Sequence, residues 1–385
     1  MSLKGRIYRG QIDFDFPRIN RKLLIVSGVL LILSAGALIT QGLNLSVDFV
    51  GGTVWEVPSD DLTQDGASEV LAASDADSGS KVQVATDANN TRIVRVQSGV
   101  TEQSEAAKIT KDLADAGGVE VTEVETNFVG PTWGRTVTRQ AAKAFVIFLI
   151  LVSVFISVRL EWRMAVGAIA ALIHDVIITV GVYAIFQFDV TPPTVIAVLT
   201  ILGYSLYDTI VVFDRAQENQ ARYAKTGNYT FIQLSRRSLN QVFMRSMNTT
   251  ITALMPVVSM LIIGAVVYGQ ATLSEFSIAL LVGLLSGAYS SIVVASTVLE
   301  WLKEREPQFV KIRQRITDRG GDPDDTRWVE HARRRRAERR SQASARGDAG
   351  TLVGAGAGVV DPAVAERADL YERPHPPRPR KKTKR

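Results

Sequence analysis

"TPPTVIAVLTILGYSLYDTIVVF" (Thr191–Phe213) is long and apolar enough to cross a bilayer, yet it carries an aspartate, Asp208, well inside. A spanning helix needs about 20 mostly apolar residues to cross about 30 Å of hydrocarbon. An Asp, Lys or Arg near the centre of such a helix costs roughly 2.5–3.5 kcal/mol on insertion scales, so a carboxyl group there points to function. Tyr204 and Ser205 lie one helical turn before Asp208, and Val211 and Val212 one turn after it. Such a patch belongs in the interior of a bundle, where low dielectric works against a charged carboxylate. A group so placed can take up a proton and release it, or it can only hold neighbouring helices by hydrogen bonds.

Five further blocks of similar character lie near Leu23–Gln41, Lys143–Val158, Met164–Phe186, Thr249–Tyr268 and Ser274–Leu299, and the mean hydropathy of the 385-residue chain is positive. The reading is a membrane all-α bundle of six transmembrane helices. Arg18, Arg21 and Lys22 precede the first block as they would a signal sequence. A small-x-small cleavage site is missing, so a retained helix is expected. Lys and Arg concentrate in 1–22, Arg159–Arg163, Asp214–Asn248 and the segment after Leu299, which the positive-inside rule places in the cytoplasm. Gly42–Ala142, Gln187–Val190 and Gly269–Leu273 are then outside, and both termini inside, as for a multi-pass membrane protein.

The expected divisions are 1–22, a first span at 23–41, an extracytoplasmic domain at 42–142, spans two to six at 143–299, and a basic, largely disordered tail at 300–385. The outside domain reads as strand (Val54–Val57), helix (Ala67–Ala73), hairpin (Val82–Ala85 and Ile93–Gln97 around Asp87, Asn89 and Asn90), helix from Thr101, and strand (Val119–Glu125). That β-α-β-β-α-β order is the signature of a small α+β, ferredoxin-like unit. The tail carries Arg333–Arg336 and closes on "RPRKKTKR" (Arg378–Arg385). It can lie against anionic lipid, or simply reinforce topology. Without interleaved aromatics it gives no specific nucleic-acid signal.

The remaining polar groups of the spans form stripes. Gln241, Arg245, Asn248 or Thr249, and Thr252 recur at helical spacing, and Arg245 is the candidate cation for Asp208. The alternative is that Arg245 snorkels to the inner surface. His174 and Asp175 are adjacent in the third block, either a proton relay or an interior hydrogen-bonded pair. Gly283, Gly287 and Ser291 form a small-xxx-small packing stripe. Gly51 and Gly52 allow a turn or hinge after Asp48. Cysteine is absent, and no phosphate-cradling loop, nucleophile–base arrangement or zinc spacing appears. The sequence therefore suggests no enzyme, cofactor or metal. Any work would draw on ions moving through the spans.

These residues resemble the SecF family of the bacterial protein-export machinery. "VDFVGGT" (Val47–Thr53), "GYSLYDTIVVFDR" (Gly203–Arg215), "LNQVFMRS" (Leu239–Ser246) and "FSIALLVGLLSGAYSSI" (Phe276–Ile292) match its motifs in order, from about Asp13 to Leu302. The family commonly has Asn before the fourth-span aspartate, where Tyr207 stands here. The resemblance implies an RND-type half that pairs with the six spans of SecD beside the SecYEG channel. It also implies use of the proton motive force to complete export of unfolded preproteins, with Asp208 and Arg245 at positions linked to proton conduction. The rival readings are an RND-type transporter of small molecules or lipids, and a scaffold that transduces nothing.

Overall fold

The computed structural model describes residues 14–325 apart from 75, 77–79, 87–90, 224–226 and 268–270. Among the described residues, six helices are long and apolar enough to cross a membrane, and a small α+β domain sits between the first two. The spans begin with α1 (Phe16–Thr40), and the domain follows as β1 (Asn44–Leu45), α2 (Val47–Val50), β2 (Gly52–Pro58), α3 (Gln64–Ala73), β3 (Lys81–Thr86), β4 (Arg92–Ser98), α4 (Gln103–Gly117) and β5 (Glu125–Val129). The chain returns through α5 (Pro131–Arg159), α6 (Trp162–Phe186), β6 (Asp189–Val190), α7 (Pro192–Tyr223) and α8 (Phe231–Leu261). The sixth span is α9 (Ala271–Ser290), a π-turn (Ser291–Ala295) and α10 (Ser296–Lys303), and α11 (Pro307–Asp318) follows it.

Burial sorts the spans into lining and core. On α5 the side chains of Val146, Ile150, Val154 and Val158 are exposed, as suits a helix with lipid on most of its surface. On α6 and α7 one stripe after another is buried, and Met164, Leu172, Leu202, Phe213 and Phe231 meet in one apolar cluster. On α1, Asn20, Ser27 and Ser34 recur every seventh residue and are all buried. Small residues let backbones approach closely where lipid offers no hydrophobic drive for association. Gly181 shows the tolerance: a Cβ there would stand 2.1 Å from Cβ of Ser34.

The domain is a four-stranded antiparallel sheet in the order β3-β4-β2-β5. Alternation in β4 turns Val94 and Val96 inward, where Trp55, Val57, Leu71, Ile109 and Leu113 complete the core. Trp55 is fully buried, and its indole N–H donates to Thr110 Oγ1 at 2.9 Å, so the ring is buried without an orphaned donor. The last strand lies at 125–129 rather than at the expected 119–125. Gly118 ends α4 in the left-handed region, and Glu120 and Glu123 cap a 3₁₀ turn that uses up those residues. The hairpin turn expected at Asp87, Asn89 and Asn90 lies outside the described residues.

Two backbone joints fix the domain to the spans. In the first, β1 and β6 pair in parallel, Asn44 with Asp189 and Leu45 with Val190, and Asp189 also accepts from Lys81 Nζ at 2.7 Å. The second is the turn at Gly51 and Gly52, with φ of 86° and 139°. A Cβ on Gly52 would stand 2.4 Å from the carbonyl oxygen of Ser98, and Gly134 of α5 packs against the backbone at Phe49 and Gly51. Thr138 Oγ1 donates to the Phe49 carbonyl at 3.0 Å.

On the opposite side, the segment expected as a loop over Asp214–Asn248 is mostly helix. A capping box at Thr230 and Gln233 starts α8, and Asn219 of α7 donates to Ser238 at 2.8 Å and to Gln241 at 2.9 Å, tying the two extensions together. The start of the expected disordered tail is also folded. Phe309, Ile312 and Ile316 recur at helical spacing on α11 and are buried, with the Phe309 ring 5.4 Å from that of Phe231. Lys303 is 1% exposed between Glu161 and Glu306, and Arg163 joins Glu306 at 2.6 Å. The basic clusters at Arg333–Arg336 and Arg378–Arg385 lie outside the described residues.

Trp55→Ala should lower the stability of the purified chain by about 3–5 kcal/mol. Denaturant unfolding in detergent checks this, with Trp133→Ala, at a ring 65% exposed, expected to be near neutral.

Candidate ion-coupling site

Asp208 is 6% exposed and faces the bundle interior, together with Ala197, Ile201, Leu202, Ser205, Thr209 and Val212 of α7. Its Oδ2 accepts a hydrogen bond from Ser246 of α8 and another from Ser291 of the sixth span, the latter at 3.1 Å. The clamp therefore joins three spans at one carboxyl group.

The ion pair that the sequence suggests with Arg245 is not formed. Ser246 turns inward to Asp208, and its neighbour Arg245, about 100° away around the helix, turns outward. There Arg245 is exposed and donates to the Tyr207 hydroxyl at 3.3 Å. Gln241, Asn248 and Thr252 are exposed as well, so the polar stripe is real but lies on the outer surface of this chain.

Asp175 stands in the same interior, 1% exposed. Three serine hydroxyls donate to it: Ser205 of α7 at 2.6 Å, and Ser286 and Ser290 of α9 at 2.7 and 2.8 Å. His174 Nδ1 lies 3.3 Å from Asp175 Oδ1, and its ring is 5.9 Å from that of Tyr289. The Tyr289 hydroxyl in turn meets Ser27 Oγ at 2.7 Å and the Leu23 carbonyl at 2.8 Å on α1. Among the described residues, no Lys or Arg forms an ion pair with Asp175 or Asp208. A buried carboxylate must be hydrogen-bonded or paired to remain charged, and here the donors are hydroxyls.

Gly283 and Gly287 make the approach possible. A Cβ on Gly283 would overlap Ile201, and one on Gly287 would stand 2.8 Å from Cβ of Ser205. Of the residues singled out in the sequence, Asp208 and Ser291 come together, and so do His174 and Asp175. Gly283 and Gly287 pack against α7, and Arg245 stands apart. Asp48, Gly51 and Gly52 sit in the turn between α1 and the domain, where Asp48 accepts from Ser46 at 3.1 Å. The serines Ser246, Ser286 and Ser290 had no individual signal in the sequence beyond the helical spacing of 286 to 290.

The model for the SecD/SecF C-terminal domain of protein export membrane proteins matches residues 108–305, and that for the SecD/SecF GG motif matches 36–61. The protein translocase subunit SecF of Streptomyces coelicolor is 38% identical, over 82% of this chain and 83% of its own length. The chain belongs to the SecF branch of the SecD/SecF family. Mycobacterium tuberculosis SecF is 34% identical, over 79% of this chain and 70% of its own. A crystal structure of Thermus thermophilus SecDF, described as a translocon-associated membrane protein, superposes with a TM-score of 0.67 at 29% identity. The match covers 79% of this chain and 40% of that one, so the chain spans less than half the length of that SecDF.

Gly287→Val should press α9 away from Ser205 and destabilise the chain by about 1–3 kcal/mol. Gly203→Ala, where nothing lies within 4 Å, should not. Thermal unfolding of both variants in detergent gives the comparison.

Proposed function

We propose that this chain is the SecF-type auxiliary subunit of a Sec protein translocase. It acts with SecD and the SecYEG channel, and it uses the proton motive force to promote export of unfolded preproteins across the cytoplasmic membrane. Family membership supports the translocase role. The observation that carries the coupling is Asp208: a buried carboxyl group in a spanning helix, without a paired cation among the described residues, held by hydroxyls from two other spans. Moving one charge through a membrane is worth about 2.3 kcal/mol per 100 mV, enough to repack a clamp of hydrogen bonds if the charge passes through it.

The step is a change of hydrogen-bond sense. As an anion, Asp208 only accepts; once protonated it also donates, so a serine that served it must turn elsewhere. The contact between α7, α8 and the sixth span then changes. Arg245 has a different task from the one the sequence suggested. With Tyr207, Asn248 and Thr252 it forms a polar stripe that lipid would solvate poorly, and the spans of SecD are the cover we assign to it. The termini and the basic segments are placed in the cytoplasm by the positive-inside rule, and the α+β domain outside, where it meets the emerging chain.

Asp208→Asn should assemble normally and lose the part of preprotein export that depends on the proton gradient. Export into inverted vesicles, with and without an uncoupler, measures it; uncoupler-sensitive export at the wild-type rate would refute the coupling. Arg245→Lys keeps charge and loses the planar fork. If the stripe packs against SecD through that fork, co-purification with SecD should weaken while the Asp208 clamp stays intact.

A further inference from the structure

Asp175 is left over by this reading, and its surroundings differ from those of Asp208. Donors converge on both of its oxygens: Ser286 on Oδ1, with His174 Nδ1 beside it, and Ser205 and Ser290 on Oδ2. Both oxygens of Asp175 are thus engaged by hydroxyls. On Asp208, Ser246 and Ser291 both donate to Oδ2, and Oδ1 has no donor among the described residues. The two carboxyl groups therefore differ in how many of their oxygens are engaged.

The two acids share their supports. Ser205, which donates to Asp175, lies one helical turn before Asp208 on α7. Ser290 and Ser291 are consecutive residues where α9 gives way to a π-turn, and one serves Asp175 while the other serves Asp208. Each also has the Gly287 carbonyl as a second acceptor, at 3.3 Å for Ser290 and 2.9 Å for Ser291. A hydroxyl with one hydrogen and two acceptors can turn from one to the other. Two like charges in one apolar core disfavour each other's ionisation.

Resting on the reading of Asp208 as the proton-coupling acid, we propose that Asp175 and Asp208 form a single two-acid proton site that holds one negative charge at a time. Asp208 takes the proton first. It passes to Asp175 by hydroxyl relay: Ser291, turned from the Gly287 carbonyl, accepts the proton of Asp208 and gives up its own to Ser290, and Ser290 gives its own to Asp175. An O–H bond on Asp208 breaks, one on Asp175 forms, and the negative charge moves the opposite way. His174 is the next station in its Nε2–H tautomer: Nδ1 accepts the proton of Asp175, and Nε2, which is buried and has no hydrogen-bond partner among the described residues, releases its own. Among the described residues, Tyr289 of α9 and Tyr204 of α7 are the other titratable groups facing the pair.

The test uses the full chain with its partner subunit in lipid vesicles, with proton flux under an imposed pH gradient read by an entrapped dye. Asp175→Asn should reduce flux to that of vesicles without the complex. Ser290→Ala combined with Ser291→Ala should slow it while assembly is unchanged. Asp175→Glu should conduct with a displaced pH profile. Infrared titration of the carboxyl band should show two coupled steps in the wild type, and Asp175→Glu should displace the step assigned to Asp208. Wild-type flux in Asp175→Asn overturns the proposal. Where that variant does not assemble, an Asp208 step or a pH profile unmoved by Asp175→Glu overturns it. If Asp208→Asn also conducts normally, the coupling role of Asp208 fails too; if it is silent while Asp175→Asn conducts, only the two-acid site fails.

Discussion

A carboxylate enclosed by spanning helices has no bulk water around it, and its charge persists only where other dipoles point at it. In this chain the dipoles belong to serines. The choice matters because a serine hydroxyl has a single hydrogen, can rotate, and can accept as well as donate. The same residue can therefore serve a charged acid and, after turning, a neutral one. A guanidinium offers only donors and never loses its charge, so an Arg held against Asp208 would stabilise one state. Removing one partner from a buried ion pair is costly, and a pair of that kind acts as a fixed brace. The buried Lys303 at the end of the sixth span, set between Glu161 before α6 and Glu306 before α11, has that character.

Short side chains impose a condition on the helices that carry them. A serine reaches little beyond its own Cβ, so Ser286, Ser290 and Ser291 can touch acids on α6 and α7 only if the backbones nearly meet. Gly283 and Gly287 provide that proximity, since any Cβ there would collide with Ile201 or Ser205. The π-turn that starts at Ser291 adds the second condition. Such turns change the angular step along a helix and are frequent at functional sites. Here one adjoins the place where consecutive serines diverge to different carboxylates.

The six spans were legible because length and hydropathy report directly on a bilayer. The alternating strands of the domain were legible too, because Val94 and Val96 must share a face. What periodicity left open was which face of a polar helix looks inward. On α8, Arg245 and Ser246 are neighbours, and a rotation of one position decides which of them meets Asp208. The charged residue stood out in the sequence, but the serine is the one in contact. A stripe at helical spacing shows that residues share a side; only the packing of α7 and the sixth span says what that side meets. The start of the tail was missed for a related reason. Phe309, Ile312 and Ile316 are a sparse apolar set within a basic segment, and they become a core only because Phe231 and its neighbours on α8 are there to receive them.

The same connectivity gives a repacking of α6 or α7 a short route to the α+β domain. Between those helices runs β6, and β6 is bonded in register to β1, which continues through α2 and the Gly51–Gly52 turn into β2 at the centre of the sheet. Asp189 of β6 also holds Lys81 on edge strand β3, and Arg95 of β4 lies 3.6 Å from Glu56 and 4.0 Å from Glu275 near the start of α9. A displacement of β6 therefore reaches the sheet through strand pairing at one point and charge pairing at another. Trp55, Ile109 and Leu113 pack the sheet to its helices as one core, which would carry such a displacement as a tilt of the whole domain rather than as a local distortion. The positive φ values at Gly51 and Gly52 give the chain a sharp corner at the base of that tilt, with Gly134 of α5 close against it. A side chain at either glycine would jam the corner while leaving the acids untouched. Under the proposed function, loss of export with proton uptake preserved is the signature that would separate transmission from coupling.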